Sequence, residues 1–253
     1  MKSIYKNILL NRESNHKMLA VLLDPEQCRG SVLASTVAAL KSNTPDFIFV
    51  GGSHMQTSSV DSLIEVLKEE VKTNIVLFPG DASQFSTKAD ALLYLSLLSG
   101  RNAEFLIGQH LTSAIAIKKS NIEVIPTGYL LVDGGKPSSV EYISNTRPIP
   151  SDKKEIALST AVAGELLGMR LVYLEAGSGA KSPVPAEMIE YVSAGLSLPL
   201  IVGGGIKTTE QLTAAFEAGA DVVVVGNIFE ANPQKIEKFV QQTETYNQHQ
   251  SVL

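Results

Sequence analysis

Three segments in the carboxyl-terminal third of the sequence each contain an apolar run that leads into glycine. They span Tyr173–Gly179, Ile201–Ile206 and Val222–Asn227, and residues 203–205 are three consecutive glycines. Glycine lets backbone N–H groups approach a phosphate closely, whereas a tight strand-to-helix turn rarely needs three glycines in a row. The pattern therefore predicts a phosphate site. It does not distinguish isomerases from aldolases or synthases, which all bind phosphate in this way.

Glu175 and Tyr173 lie in the first of these runs, two residues apart. Alternate side chains of a strand point the same way, so both belong to one face. Because both faces carry apolar residues, the sequence does not say which face points inward. A buried glutamate beside a phosphate would have a raised pKa and could act as a general base. The alternative is a glutamate that orders neighbouring loops by accepting backbone N–H groups.

Asp24 directly follows Met18–Leu23, the first strand-like run of the chain, and precedes Pro25, which stops the strand. Mg²⁺ commonly uses one or two carboxylates together with phosphate oxygens, so a substrate that carries a diphosphate would favour Asp24 as a metal ligand. The alternative is a helix cap or a structural ion pair. Ser53, after the second run, could add a hydroxyl oxygen but is weak evidence alone. His54 fits a hydrogen-bonded residue at the barrel mouth better than a metal ligand.

The composition limits the possible partners and compartment. The chain has 253 residues, a net charge of −5 and no basic run, so nucleic acid is not expected as a partner. A single cysteine, Cys28, excludes an internal disulfide and fits a reducing compartment. We expect a cytoplasmic protein, since no signal sequence or spanning segment is evident.

Strand-like and helix-like runs alternate along the chain, which predicts an α/β fold, a (β/α)8 TIM barrel forming a single domain over residues 1–253. The predicted strands are Met18–Leu23, Asp46–Val50, Asn74–Phe78, Glu104–Ile107, a fifth starting at Glu123–Ile125, Leu171–Leu174, Leu200–Val202 and Val222–Val225.

Two regions depart from a regular repeat. Asp81–Asn102 should contain the third helix but begins with a polar loop, and its apolar part, Ala91–Leu98, is apolar on nearly every face. We predict a short buried helix there, with the wall of a hydrophobic groove as the alternative. Gly128–Pro150 is a second long insertion, which suits either a functional lid or an interface.

Taken together, the motifs resemble the geranylgeranylglyceryl phosphate synthase family, which includes the heptaprenylglyceryl phosphate synthases. The resemblance covers nearly the whole chain, and its most specific motif is Tyr173–Ala180. The other matching segments are Leu22–Glu26, Val50–His54, Phe78–Asp81, Thr127–Tyr129, Arg147–Pro150, Gly168–Arg170, Val202–Ile206 and Val224–Asn227.

The resemblance implies a prenyltransferase on a modified barrel whose third helix is irregular or reduced. Such an enzyme joins sn-glycerol 1-phosphate to a polyprenyl diphosphate, with geranylgeranyl diphosphate as the expected donor. Mg²⁺ would be held by Asp24 and Ser53, and Glu175 and Tyr173 would be catalytic. Glycerol 1-phosphate would bind at Tyr173, Leu174, Glu175, Ala176, Gly177, Ser178, Gly179, Gly204, Gly205, Gly226 and Asn227. A prenyl groove is expected along Leu92, Leu93, Tyr94 and Phe105.

The same resemblance implies a homo-oligomer, either a dimer or a hexamer, and a lipid product suggests transient contact with the membrane. The alternatives are another phosphate-binding barrel enzyme, such as a sugar-phosphate isomerase or epimerase, and a non-catalytic barrel that senses a phosphorylated metabolite. A sugar-phosphate isomerase would normally need neither Mg²⁺ nor a lipid groove, and a sensor would tolerate loss of Glu175.

Overall fold

Eight parallel strands close into a barrel in sequence order, with β8 hydrogen-bonded to β1, in a computed structural model that describes residues 3–52 and 57–250. The predicted (β/α)8 fold is thereby confirmed. The strands are β1 Met18–Leu23, β2 Phe47–Val50, β3 Asn74–Leu77, β4 Ala91–Leu97, β5 Glu123–Leu131, β6 Leu171–Glu175, β7 Leu200–Gly203 and β8 Val222–Val225.

Helices surround the barrel in the connections between strands. They are α1 Ile4–Glu13, α2 Gly30–Ser42, α3 Thr57–Glu70, α4 Gln109–Lys119, α5 Ser139–Ser144, α6 Lys154–Leu166, α7 Ala186–Ala194, α8 Thr209–Glu217, α9 Asn227–Ala231 and α10 Lys235–Gln250. A π-helix, Glu104–Gly108, leads directly into α4. Within the described ranges, none of the helices combines the length and apolar content that crossing a bilayer requires.

The strands are short and rich in β-branched residues because both of their faces are buried. Every residue of β2, Phe-Ile-Phe-Val, and of β8, Val-Val-Val-Val, is buried. One face fills the barrel interior and the other packs under the surrounding helices, which divides the core into an inner and an outer cluster. Tyr173 belongs to the inner cluster, so the face that carries Tyr173 and Glu175 points inward.

Helix α1 covers the amino-terminal end of the barrel. Its Ile4 and Ile8 pack into the inner cluster. The Glu123 carboxylate, at the start of β5, accepts the backbone N–H of Ile4 at 2.6 Å and that of Tyr5 at 3.1 Å. A carboxylate at a helix amino terminus satisfies N–H groups that lack partners within the helix. This end of the barrel is therefore closed, which leaves the carboxyl-terminal end for a ligand.

The predicted position of the fourth strand was wrong. Ala91–Leu97 forms β4, whereas Glu104–Ile107, predicted as a strand, lies in the π-helix Glu104–Gly108. A run that is apolar on every face fits a buried helix and a two-sided buried strand equally well, and periodicity cannot separate them. Here the segment forms a strand, because Ala91–Leu97 pairs with β5 over its whole length.

The third helix of the barrel repeat is reduced, as the family resemblance implies. Between β3 and β4 the chain forms only a short 3-10 turn, Ala82–Gln84. Without a helix in this connection, the outer face of β4 is left to be covered by the turn and by α4. A groove occupies this space.

Candidate active site

The glycine-rich loops after β6, β7 and β8 meet at the carboxyl-terminal end of the barrel. Gly204 and Gly205 have φ angles of +79° and +71°, which L-residues rarely adopt. A Cβ atom on Gly204 would lie 2.7 Å from the backbone nitrogen of Gly177, so a side chain there would separate the first two loops. The Ser178 hydroxyl donates to Oδ1 of Asn227 at 3.2 Å and links the first loop to the third. The predicted phosphate loops thus form one concave site.

Glu175 ends β6 inside this site. It is only 6 % exposed, and its Oε1 accepts the backbone N–H of Gly177 at 2.7 Å. Burial raises the pKa of Glu175 from 4.5 to about 7, partly offset by the Gly177 N–H and by the Tyr173 hydroxyl. A carboxyl group with this pKa is ionised for about half of the time near neutral pH, which suits a general base.

Tyr173 lies one pleat below Glu175. Burial and then the charge of Glu175 raise the pKa of Tyr173 well above its ordinary value, so the phenol keeps its proton. Its buried hydroxyl has no hydrogen bond of ordinary geometry within residues 3–52 and 57–250, although it lies close enough to Glu175 to lower that carboxyl pKa. Tyr173 therefore offers a proton donor beside a base.

Aromatic rings line the floor of the site. The ring of Phe78 stacks on that of Tyr173 with centroids 5.1 Å apart and planes at 8°. The ring of Tyr129 lies 5.4 Å from Tyr173 and 5.9 Å from Phe78. All three rings line the same cavity as Glu175. Their faces carry partial negative charge, which favours a positive charge nearby.

Two further carboxylates belong to this site. Asp24, after β1, and Glu230, in α9, both line it. Burial raises the pKa of Asp24, and burial together with the charge of Asp24 raises that of Glu230. Carboxylates are the hard oxygen ligands that Mg²⁺ prefers, and a divalent cation would stabilise two negative charges that burial and mutual repulsion disfavour. The donor set therefore fits Mg²⁺. Ser53 and His54 lie outside the described residues.

A cavity of about 530 Å³ extends from these groups along β4. Its walls are mostly apolar and include all four residues predicted for a prenyl groove, Leu92, Leu93, Tyr94 and Phe105. Leu93 faces the barrel interior, whereas Leu92 packs with the outer cluster. The groove therefore runs over the space that a third helix would fill. The alternative interpretation of Ala91–Leu98, as a groove wall, agrees with this placement even though its predicted helix was wrong.

The structure brings most of the predicted site residues to this cavity. Those that line it are Asp24, Tyr173, Glu175, Ser178, Gly179, Gly204, Gly205, Gly226 and Asn227. Leu174 and Ala176 pack into the outer cluster, so only their backbone atoms can serve a ligand.

Sequence reasoning did not select Phe78, Tyr129 or Glu230 as site residues. Phe78 and Tyr129 sit at the ends of β3 and β5, where position in a barrel strand alone could have indicated them. Glu230 comes four residues after Gly226, within a helix. Only the tertiary structure brings Glu230 into the same cavity as Asp24.

Comparison with known proteins agrees with this geometry. The model of the PcrB family matches residues 11–243. The chain belongs to the PcrB family. A relative from Chitinophaga pinensis, named geranylgeranylglyceryl phosphate synthase, is 48 % identical over 235 residues, which are 93 % of each chain. A synthase of the same name from Korarchaeum cryptofilum is 42 % identical over 87 % of this chain and 90 % of its own length.

A solved structure extends the comparison to three dimensions. The geranylgeranylglyceryl phosphate synthase of Thermoplasma acidophilum, in complex with its substrate sn-glycerol-1-phosphate, superposes with a TM-score of 0.89 and 33 % identity, covering 97 % of this chain and 100 % of that one. The resemblance to this synthase family is confirmed. The enzyme class that it implies, a prenyltransferase of the geranylgeranylglyceryl phosphate synthase type, is confirmed with it.

Proposed function

We propose that the enzyme transfers a polyprenyl group, with geranylgeranyl diphosphate as the expected donor, to sn-glycerol 1-phosphate in a Mg²⁺-dependent reaction. One observation carries the proposal: the buried Glu175 stands between a glycine-lined phosphate site and a long apolar groove. The Thermoplasma acidophilum relative, solved with sn-glycerol-1-phosphate, supports the acceptor.

The acceptor is held by its phosphate in the loops after β6, β7 and β8. Backbone N–H groups and the Asn227 amide supply donors there, and fixing the phosphate directs the free hydroxyl of the glycerol toward Glu175. Positioning of this kind converts an encounter of two substrates into a reaction within one complex.

Glu175 removes the proton from that hydroxyl as its oxygen attacks C1 of the prenyl group. The ether bond forms while the bond between C1 and the diphosphate oxygen breaks, so the proton goes to Glu175 and the electron pair leaves with the diphosphate. The Tyr173 hydroxyl donates a hydrogen bond to an oxygen of the glycerol phosphate and so keeps this substrate oriented. The ionised form of Glu175 is needed, so activity rises as pH passes through about 7.

The aromatic floor suits the other reactant. An allylic diphosphate develops positive charge at C1 as it dissociates, and the rings of Phe78, Tyr129 and Tyr173 line the same cavity as Glu175. A cation over an aromatic face is stabilised by about 0.5–2 kcal/mol, more when water is excluded. We infer that these rings lower the barrier to ionisation.

Asp24 is the residue that would hold Mg²⁺, together with Ser53 by family resemblance and with Glu230 nearby. Mg²⁺ bound at these residues would supply positive charge to stabilise the departing diphosphate. The chain's own contribution is to keep two partly buried carboxylates in the same cavity as Glu175.

A sugar-phosphate isomerase or epimerase is the main alternative, because its phosphate loops would look the same. A small sugar phosphate leaves the groove along Leu92, Tyr94 and Phe105 without a role. An apolar cavity of about 530 Å³ beside the phosphate loops favours a lipid co-substrate instead.

The test is transfer of radiolabelled sn-glycerol 1-phosphate into the organic phase, with prenyl diphosphates of several lengths and with or without EDTA. Label that moves only with Mg²⁺ and a prenyl donor supports the proposal, and the best donor gives the chain length. An enzyme that binds glycerol phosphate but transfers no label with any donor would refute it.

Assembly and location belong to the same proposal. Ile107, Leu111 and Ile115 are 59 %, 75 % and 67 % exposed and recur at intervals of four residues along the π-helix and α4. An exposed apolar stripe of this kind supports a homo-oligomer, either a dimer or a hexamer. Light scattering of the purified chain at several concentrations tests this. Vesicle flotation tests transient contact with a membrane, which the lipid product suggests.

A further inference from the structure

The segment that follows β5 packs against the first phosphate loop. The carbonyl oxygen of Gly134 accepts the backbone N–H groups of Lys181 and Ser182 at 2.9 and 3.1 Å. A Cβ atom on Gly134 would lie 2.3 Å from the carbonyl oxygen of Ala176, so only glycine permits this approach. The two segments are therefore held in one arrangement.

This arrangement places the ammonium group of Lys136 over the phosphate loop. Its Nζ lies 3.4 Å from the position that a Cβ atom would take on Gly179, and Nδ2 of Asn227 lies 3.9 Å from the same position. The Asn227 amide oxygen already accepts the Ser178 hydroxyl, which leaves its NH₂ group as a donor. A cation and a neutral donor thus flank one point of the loop.

Local geometry explains why Lys136 projects there. Oδ1 of Asp133 accepts the backbone N–H of Gly135 at 2.8 Å, and Gly135 has a φ of +81°, so the chain makes a tight turn just before the lysine. Pro137 restricts the backbone just after it. In the part of the chain that the structure describes, Lys136 makes no hydrogen bond and no ion pair.

A positively charged side chain would stabilise the negative charge of the acceptor. A phosphate monoester carries up to two negative charges at neutral pH, and the ionised Glu175 lies in the same cavity. The chain as a whole has a net charge of −5. Lys207, a further cation at these loops, donates from its Nζ to the carbonyl oxygen of Ala180 at 2.8 Å and so supports the loop.

We propose that Lys136 is a binding residue for the phosphate group of sn-glycerol 1-phosphate. This inference rests on the proposed function for the identity of the acceptor. The phosphate site itself is inferred from the glycine-rich loops after β6, β7 and β8. The ammonium group adds a charge-assisted hydrogen bond to the neutral donors of the glycine loops. We expect it to act on binding, since its ammonium group lies beside Gly179 in the glycine-rich loop after β6.

The experiment compares Lys136→Met with Lys181→Met, which removes the same charge from the neighbouring loop surface. Calorimetry measures the dissociation constants of sn-glycerol 1-phosphate and of inorganic phosphate, at low and high salt. A charge-assisted hydrogen bond is worth about 1.5–3 kcal/mol, so Lys136→Met should weaken both ligands about 10-fold or more. Lys181→Met should stay within about 2-fold, because an exposed charge without a direct contact contributes little. Lys136→Arg should restore most of the affinity, and KM of Lys136→Met for the acceptor should rise by a larger factor than kcat falls.

The outcomes separate the two claims. Wild-type protein that binds both ligands, with Lys136→Met binding them equally well, overturns the role of Lys136 and leaves the proposed function standing. Equal losses in Lys136→Met and Lys181→Met also overturn it, because they indicate only a long-range effect of charge. Wild-type protein that binds neither ligand overturns the proposed function and this inference together.

Discussion

Replacing Glu175 with glutamine removes the base and keeps the shape of the side chain. The amide oxygen can still accept the Gly177 N–H that Oε1 accepts at 2.7 Å, so the loop after β6 should keep its conformation. A positioned general base typically contributes about 10²- to 10⁴-fold to the rate. We expect kcat of Glu175→Gln to fall by that factor, while the dissociation constant for sn-glycerol 1-phosphate changes little.

The same substitution should make the protein more stable. The pKa of Glu175 is about 7 in the folded protein and near its ordinary 4.5 in the unfolded chain. The folded state then binds more protons between these two values, so this group's contribution to stability is present at low pH and is lost as pH rises from 4.5 to 7. At pH 8 the ionised carboxylate costs about 3 kcal/mol, and Glu175→Gln should recover up to that amount.

The assays are steady-state kinetics and urea unfolding between pH 5 and 8. Glu123→Gln is the matched control, since the Glu123 carboxylate holds the amino end of α1, at the closed end of the barrel. That variant should lose stability and keep kcat. Three results would refute the reasoning: a Glu175→Gln variant with nearly normal kcat, a loss confined to acceptor binding, or unchanged pH dependence of stability.

Three further perturbations test the phosphate loop, the metal ligand and the groove. Gly204→Ala, at a φ of +79° and with its Cβ 2.2 Å from Oε1 of Glu175, should lower stability by about 1–3 kcal/mol and abolish acceptor binding by calorimetry. Gly168→Ala is the control: its φ is +91° but a Cβ atom there meets open space, so this variant should lose stability and keep acceptor binding. Equal losses of binding in the two variants would contradict the proposed clash between the Cβ atom added at Gly204 and Glu175. Asp24→Asn should raise the Mg²⁺ concentration needed for half-maximal turnover about 10-fold or more, with acceptor affinity unchanged in EDTA; an unaltered Mg²⁺ titration would exclude Asp24 as a ligand. Ser113→Phe, in the wall contributed by α4, should raise KM more for a 20-carbon donor than for a 10-carbon donor, and equal effects would place the tail elsewhere.

Local sequence was enough for the strands and glycine loops of the carboxyl-terminal half. Val222–Val225 and the glycines at 203–205 have one good structural interpretation, because a β-branched run before glycine fits a barrel strand followed by a phosphate loop. The resemblance carried by Tyr173–Ala180 named the family. Composition and periodicity alone would have given only a phosphate-binding barrel.

Tertiary structure decided what local pattern left open. Ala91–Leu98 fits a helix or a strand by pattern, and pairing with β5 made it β4. The inward direction of Glu175, and hence its raised pKa, depends on which face of β6 the closed barrel buries. Lys136 reaches the phosphate loop from a segment more than 40 residues earlier in the chain than Gly179, through backbone contacts of Gly134. Such long-range contacts have no local signature, because they arise only when strand pairing and loop packing bring distant segments together.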